Sequence, residues 1–240
     1  MKEFYSRTYG IFGPDIEKIK KAKAAVVGLG GVGGEAAIAL ARSGIGSLVL
    51  IDGDHVVESN LNRQAVAFRS TLGMNKARAC AKMVEDIDPD CILTVHEDFW
   101  AEGSPDLTDC DVILDCIDNV KNKIELISYA KEKGIWSLSA MGAGNKVCPE
   151  MFKVSDISKT SVDPLSRVVR RRLNKLGIDH VKVVWSEEIP RTPFERPDEK
   201  DKGLYQKSLP PASSSFAPPA MGLIMAAEAV KHIVSADRGA

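Results

Sequence analysis

The sequence of 240 residues contains no C-x-x-C pair: its five cysteines, Cys80, Cys91, Cys110, Cys116 and Cys148, are odd in number and irregularly spaced. That excludes a zinc ribbon and a thioredoxin-like motif, and scattered thiols of this kind suit reduced, buried side chains in a cytoplasmic protein. An excess of one charge is lacking too. There are 32 basic and 33 acidic residues, a net charge of −1, so a uniformly basic nucleic-acid binder is not expected, although a local basic patch stays open. The longest apolar stretch, from Pro218 to Ala227, is closed by Glu228, and a bilayer span needs about 20 such residues. The amino-terminal MKEFYSRTYG has no apolar run either, so neither a membrane helix nor a secretory signal is expected. What is present is 44% apolar and 27% charged residues, an ordinary globular mixture in a length that suits one large domain or two small ones.

Strand and helix patterns alternate through the first half, which implies an α/β fold: a doubly wound, mostly parallel sheet with helices on both faces. The apolar runs at residues 24–27, 48–51, 92–95, 112–114 and 135–139 predict five strands. Residues 35–42, 76–87 and 122–133 predict the intervening helices; in the second, Ala77, Cys80, Ala81, Val84 and Ile87 keep the 3/4 spacing of one helical face. After Gly144 the pattern changes, so residues 1–144 read as a core and 145–240 as a smaller carboxy-terminal elaboration. There, 151–155 and 181–185 predict strands around a helix over 163–176. Asp163 suits the N-cap of that helix, Pro164 its first position and Gly177 the position past its end. Residues 187–203 are charged and proline-broken and predict a mobile loop, and 220–234 a final helix.

The predicted first strand runs into Gly28-Leu29-Gly30-Gly31-Val32-Gly33-Gly34 and then a helix. A glycine turn of this kind lets backbone approach a phosphate at a helix N-terminus, where free N–H groups and the positive end of the dipole favour an anion. Asp52 closes the second strand nineteen residues beyond Gly33, the place for a carboxylate that accepts both ribose hydroxyls of an adenosine. The turn does not separate a nicotinamide dinucleotide from ATP. Arg63 and Lys76, downstream of the ribose position, favour ATP, because attack at an α-phosphorus needs several cations and a metal. Asp118, in the Asp-Cys-Ile-Asp-Asn run after the fourth strand, falls at the carboxyl edge of the sheet and suits a Mg²⁺ ligand. Lys121 and Lys123 on the following helix read as surface charges.

Together the glycine turn, Asp52–Gln64, Lys76 and Asp115–Asn119 resemble the adenylation domain of the ubiquitin-activating-enzyme superfamily, over roughly residues 7–144. The resemblance implies a Rossmann-like core binding ATP, with Gly28, Gly30, Gly31 and Gly33 in the phosphate turn and Asp52 on the ribose. Asn60, Arg63 and Lys76 would hold the phosphates and Asp118 the Mg²⁺, with Asp54, Gln64 and Asn119 completing the nucleotide set. It also implies a homodimer in which Arg7 reaches the neighbouring subunit's site. Paired C-x-x-C zinc ligands, usual in the sulfur-carrier activators of the superfamily, are absent. The stretch Val154–Leu173 and the closing Ser213–Ile224 resemble instead the tRNA threonylcarbamoyladenosine dehydratases. That implies a cytoplasmic, AMP-forming enzyme that cyclises threonylcarbamoyladenosine in tRNA. The alternative is an activator of the carboxy-terminal glycine of a ubiquitin-like or sulfur-carrier protein. A monovalent cation and sulfur-transfer partner proteins stay open.

A basic helix points independently to a polyanionic partner. Arg167, Arg170, Arg171, Arg172 and Lys175 crowd one predicted helix, whose apolar stripe of Leu165, Val168, Val169, Leu173 and Leu176 turns most of the cations away from the core. Trp185, Phe194 and Tyr205 offer rings for base stacking, with core or loop packing as the plainer reading of each.

Overall fold

In a computed structural model, which describes residues 3–194 and 211–235, the chain builds one seven-stranded sheet. Two short helices, α1 (Ser6–Phe12) and α2 (Ile16–Lys21), precede β1 (Lys23–Val27), α3 (Gly33–Ser43) and β2 (Ser47–Ile51). Then come α4 (Lys76–Ile87), β3 (Ile92–His96), β4 (Val112–Asp115), α5 (Val120–Lys133) and β5 (Trp136–Ala140). The second half supplies β6 (Phe152–Asp156), α6 (Pro164–Lys175), β7 (Lys182–Ser186) and α7 (Ala217–Ser235). The spatial order is β3-β2-β1-β4-β5-β7-β6, parallel except for β6 against β7. Residues beyond 144 therefore lengthen the same sheet.

Successive side chains of a strand point to opposite faces, and the central strands are apolar on both, as a sheet covered twice requires. Ala24 and Val26 join a core with Ala36, Leu40, Ala77, Val84, Met221 and Met225 of α3, α4 and α7. Ala25 and Val27 face the other way, toward Trp100, Leu107, Leu126 and Ala130. A third cluster seats α6 on α5 and β7 through Val169, Leu173, Ile127 and Val183. The direction in which the chain adds strands reverses between β1 and β4, which opens a crevice at the carboxyl ends of those strands.

Several predicted details change. The final helix begins at Ala217, not Ala220, because Pro218 and Pro219 fall in its first turn, where no N–H is needed, and Ser214 Oγ accepts from the Ala217 N–H at 3.1 Å. The apolar stripe of α6 is narrower than predicted: Val169 and Leu173 are buried, whereas Val168 and Leu176 are exposed. Lys123 is no surface charge but is fully buried. In the predicted mobile loop, Glu188 is buried and its carboxylate accepts from the Val147 and Cys148 N–H groups at 2.9 and 2.8 Å. The part of that loop beyond position 194 lies outside the described residues, as does Tyr205 after it.

Candidate active site

A cleft of about 700 Å³ lies over the carboxyl ends of β1, β2, β4 and β5. Its floor is the glycine turn. Gly28 has φ +89, and a Cβ there would meet the Cys116 carbonyl oxygen at 2.8 Å. At Gly33 the limit is proximity: a Cβ would stand 1.8 Å from the Gly28 carbonyl oxygen, so α3 can start this close to β1 only without a side chain. Gly28, Gly30 and Gly31 line the cleft; Gly33 instead sets the packing beneath it.

Asp52 is buried at the end of β2, with Oδ2 accepting from the Leu29 N–H at 2.6 Å and Oδ1 from the Asp54 N–H at 2.8 Å. Burial raises its pKa above the ordinary aspartate value against the pull of those two N–H groups and of Lys76. Each oxygen keeps a free lone pair. Lys76, the first residue of α4, is buried, and its Nζ donates to Asp54 Oδ2 at 2.8 Å. Asn75 caps that helix, accepting from the Ala77 and Arg78 N–H groups, and thereby fixes where Lys76 enters the cleft. Arg63 donates to the Ser59 carbonyl at 2.9 Å and to Asn62 Oδ1 at 2.7 Å; burial lowers its pKa and no described carboxylate pairs with it. Asn60 and Gln64 are buried beside it, and Gln64 Oε1 has no hydrogen-bond partner among the described residues. Asp118 is exposed at the cleft wall, with no described cation paired to it.

The structure therefore brings Gly28, Gly30, Gly31, Asp52, Asp54, Asn60, Arg63, Gln64, Lys76 and Asp118 to one cleft. Asn119 is not among its lining residues. Its Oδ1 accepts from the Lys121 and Asn122 N–H groups at 2.9 and 3.2 Å, so it is the N-cap of α5 and holds the Asp118 loop from outside. Arg7 sits exposed on α1, away from this chain's own cleft. On α6, Arg167, Arg171, Arg172 and Lys175 are exposed, but Arg170 is committed: its Nη1 donates to the Thr160 carbonyl at 3.0 Å and to Thr160 Oγ1, tying the helix to the segment before it. That holds one end of Arg170 against the protein, unlike the other four cations of α6.

Several residues of the site were not anticipated. Lys123 Nζ donates to Asp115 Oδ2 at 2.7 Å and to Ser139 Oγ at 3.2 Å, linking β4, α5 and β5 under the Asp118 loop. Lys146, equally buried, donates to the Gly142 carbonyl at 2.6 Å and to Asp163 Oδ2 at 2.8 Å. It thereby joins the loop after β5 to the N-cap of α6, and Asp163, Pro164 and Leu165 line the cleft. Phe99 presents an exposed ring at the cleft. No local motif marks these residues; a lysine four positions beyond the N-cap of a helix reads as solvated until its partners on other strands are known.

The thiols are poor nucleophiles. Burial pushes Cys80 and Cys110 up to about 12 and Cys91 up to about 11, and raises Cys116 and Cys148 as well. Among the described residues no cluster of three or more His, Cys, Asp or Glu side chains could hold a metal alone, and no helix is long and apolar enough to cross a membrane.

A model of the ThiF family matches residues 5–239. A tRNA threonylcarbamoyladenosine dehydratase of Bacillus subtilis is 37% identical over 227 residues, 91% of this chain and 89% of that protein. Among solved structures, the tRNA N6-threonylcarbamoyladenosine dehydratase of E. coli in complex with ATP matches with a TM-score of 0.84 and 31% identity over 98% of this chain and 96% of that one. The same enzyme in complex with AMP matches equally, at 30% identity over 97% and 94%.

Proposed function

The chain belongs to the ThiF family, and from that premise we infer that it is an ATP-dependent tRNA threonylcarbamoyladenosine dehydratase. The observation that carries this reading is the convergence of the glycine turn, Asp52, Arg63, Lys76 and Asp118 on one cleft, in a chain similar along nearly its whole length to enzymes of that name.

Each group has a task in carboxylate activation. Asp52 accepts the ribose hydroxyls, and the N-terminus of α3 with Arg63 and Lys76 meets the phosphates; Asn60 and Gln64 complete that wall. The threonyl carboxylate attacks the α-phosphorus, the bond to the bridging oxygen breaks and pyrophosphate leaves. Arg63 and Lys76 stabilise the charge that spreads over the phosphoryl oxygens. A ureido atom then adds to the acyl carbon, the C–O bond to AMP breaks, AMP leaves with the electron pair, and the ureido proton is released. The nucleoside loses one water in sum. Ring closure is intramolecular, so orientation supplies much of the acceleration and no enzyme nucleophile is needed. The raised thiol pKa values fit a scheme without a cysteine nucleophile.

Mg²⁺ fits the site. One exposed carboxylate, Asp118, together with phosphate oxygens and water is the usual magnesium donor set, and bound there the ion would neutralise phosphate charge. Arg7, exposed and outside its own cleft, suits a homodimer in which it serves the neighbouring site. The part beyond residue 144 supplies tRNA recognition: α6 starts at the cleft and carries Arg167, Arg171 and Lys175 at four-residue intervals outward along one face. A tRNA-modifying role fits a cytoplasmic enzyme. The test is AMP release that requires tRNA bearing the threonylcarbamoyl group; equal release with unmodified tRNA contradicts the reading.

A further inference from the structure

The strands deliver their carboxyl ends in the spatial order β2, β1, β4, β5. At about 4.8 Å per strand, β5 lies about 14 Å from β2. A nucleotide whose ribose meets Asp52 at β2 and whose phosphates meet the glycine turn after β1 therefore directs its acylated end toward the loop after β5.

Asn145 stands in that loop and lines the cleft. Its φ is +61, in the left-handed region that asparagine tolerates better than other side chains. Its backbone N–H donates to the Ala212 carbonyl at 2.7 Å, and its carbonyl accepts from the Arg191 N–H at 2.8 Å. Its Oδ1 accepts from the Ala212 N–H at 2.7 Å. These three bonds tie the loop after β5 to two other stretches of the cleft rim. The last of them also orients the amide. With the oxygen occupied by a backbone donor, the NH₂ group is the free end of the side chain, and no described residue accepts from it.

We propose that Asn145 Nδ2 donates to the acyl oxygen of the substrate, making Asn145 a catalytic residue on the acyl side of the cleft. The proposal rests on the carboxylate-activating function inferred above. During adenylation the contact orients the carboxylate by the oxygen that does not attack. During ring closure the acyl oxygen gains negative charge as the ureido atom adds to carbon and loses it as the C–O bond to AMP breaks, so the bond strengthens in the transition state. A neutral amide suits the position better than a lysine, which would hold the carboxylate in its ground state and blunt its attack.

Asn145→Asp keeps an acceptor for the Ala212 N–H and tolerates the same backbone angle, but removes the donor. Asn145→Gly keeps the backbone and removes the side chain. Both are compared with the full-length wild-type enzyme for ATP affinity, thermal midpoint and cyclisation of threonylcarbamoyl tRNA. The expectation is ATP affinity within about twofold and a kcat reduced roughly 100-fold or more in each, the size seen when one oriented donor to a developing oxyanion is removed. Asn145→Asp at the wild-type kcat overturns the proposal, leaving the amide a rim tie only. If Asn145→Asp fails to fold, the glycine variant decides alone: a wild-type kcat from folded protein overturns the proposal. Should the wild type itself release no AMP with modified tRNA, the function falls and this proposal with it. That outcome differs from a working wild type beside an equally active variant.

Discussion

Lys123 Nζ lies 2.7 Å from Asp115 Oδ2, and both side chains are buried under the carboxyl ends of β4 and β5. Asp115 also accepts from the Ile117 N–H at 3.1 Å and from Ser139 Oγ, so one carboxylate holds the start of the loop that presents Asp118. Removing one partner leaves the other charge buried and unpaired. We expect Lys123→Met to cost about 3–5 kcal/mol in chemical denaturation, and Asp115→Asn with Lys123→Met together to cost less than the two single changes summed. Additive single costs would mean that the pair is not coupled.

On the proposed function Asp118 and Lys76 both meet the triphosphate, and Asp118, being exposed, contributes little to the fold. Asp118→Ala is expected to lower AMP formation on the order of 100-fold or more, with an unchanged thermal midpoint. Added Mg²⁺ should restore part of the loss, because a weakened metal site is filled by mass action. Near-normal turnover at low Mg²⁺ ends the metal assignment. Lys76→Ala should lose turnover comparably, and it frees Asp54 from its ion pair.

Nucleotide affinity should depend on pH through Asp52. Burial raises its pKa, so the carboxylate takes up a proton above the ordinary aspartate range. On the proposed function the ionised form accepts both ribose hydroxyls. Affinity is therefore full above the raised value and falls as pH drops through it. The sign for the unliganded fold is opposite: a carboxyl with a raised folded pKa favours the folded state at low pH, and that contribution is lost as pH rises through the raised value. Asp52→Asn should bind ATP roughly 10- to 100-fold more weakly at neutral pH, with the pH dependence gone. A slope that persists in Asp52→Asn assigns it to another group.

How much of the fold and the site was legible in the chain divides by distance along it. The positions of the glycine turn and Asp52 are readable from local spacing between a strand end and a helix start, and the role proposed for Lys76 follows from the family resemblance. Asp163 as N-cap and Gly177 past the helix end follow from the same short-range rules. Lys123 and Arg170 are not readable this way. The acceptors that decide their fate, Asp115 with Ser139 and Thr160, are set by sheet order and by a turn 10 residues earlier. Asn145 is hidden for the same reason, since Ala212 is 67 residues away.

The exposed cations of α6 give a quantitative test. Changing Arg167, Arg171 and Arg172 to Gln should weaken tRNA binding and flatten its salt dependence by about 0.7–0.9 in log–log slope for each phosphate that is no longer neutralised. ATP affinity should hold, and glutamine keeps the helix propensity close to that of arginine. Arg170→Gln should leave the salt slope unchanged and lower the thermal midpoint instead, because its bonds are internal. A salt slope untouched by the triple change places the tRNA elsewhere on the molecule.

The central claim concerns one loss of water. Purified protein is incubated with ATP, Mg²⁺ and tRNA carrying threonylcarbamoyladenosine, and the nucleosides are then resolved by mass spectrometry under conditions that keep the cyclic form intact. The account predicts a nucleoside about 18 mass units lighter, formed one for one with AMP and only when ATP is present, the balance that adenylation followed by intramolecular ring closure requires. An unshifted nucleoside, with AMP formed only when a protein carboxy-terminal tail is supplied, contradicts it.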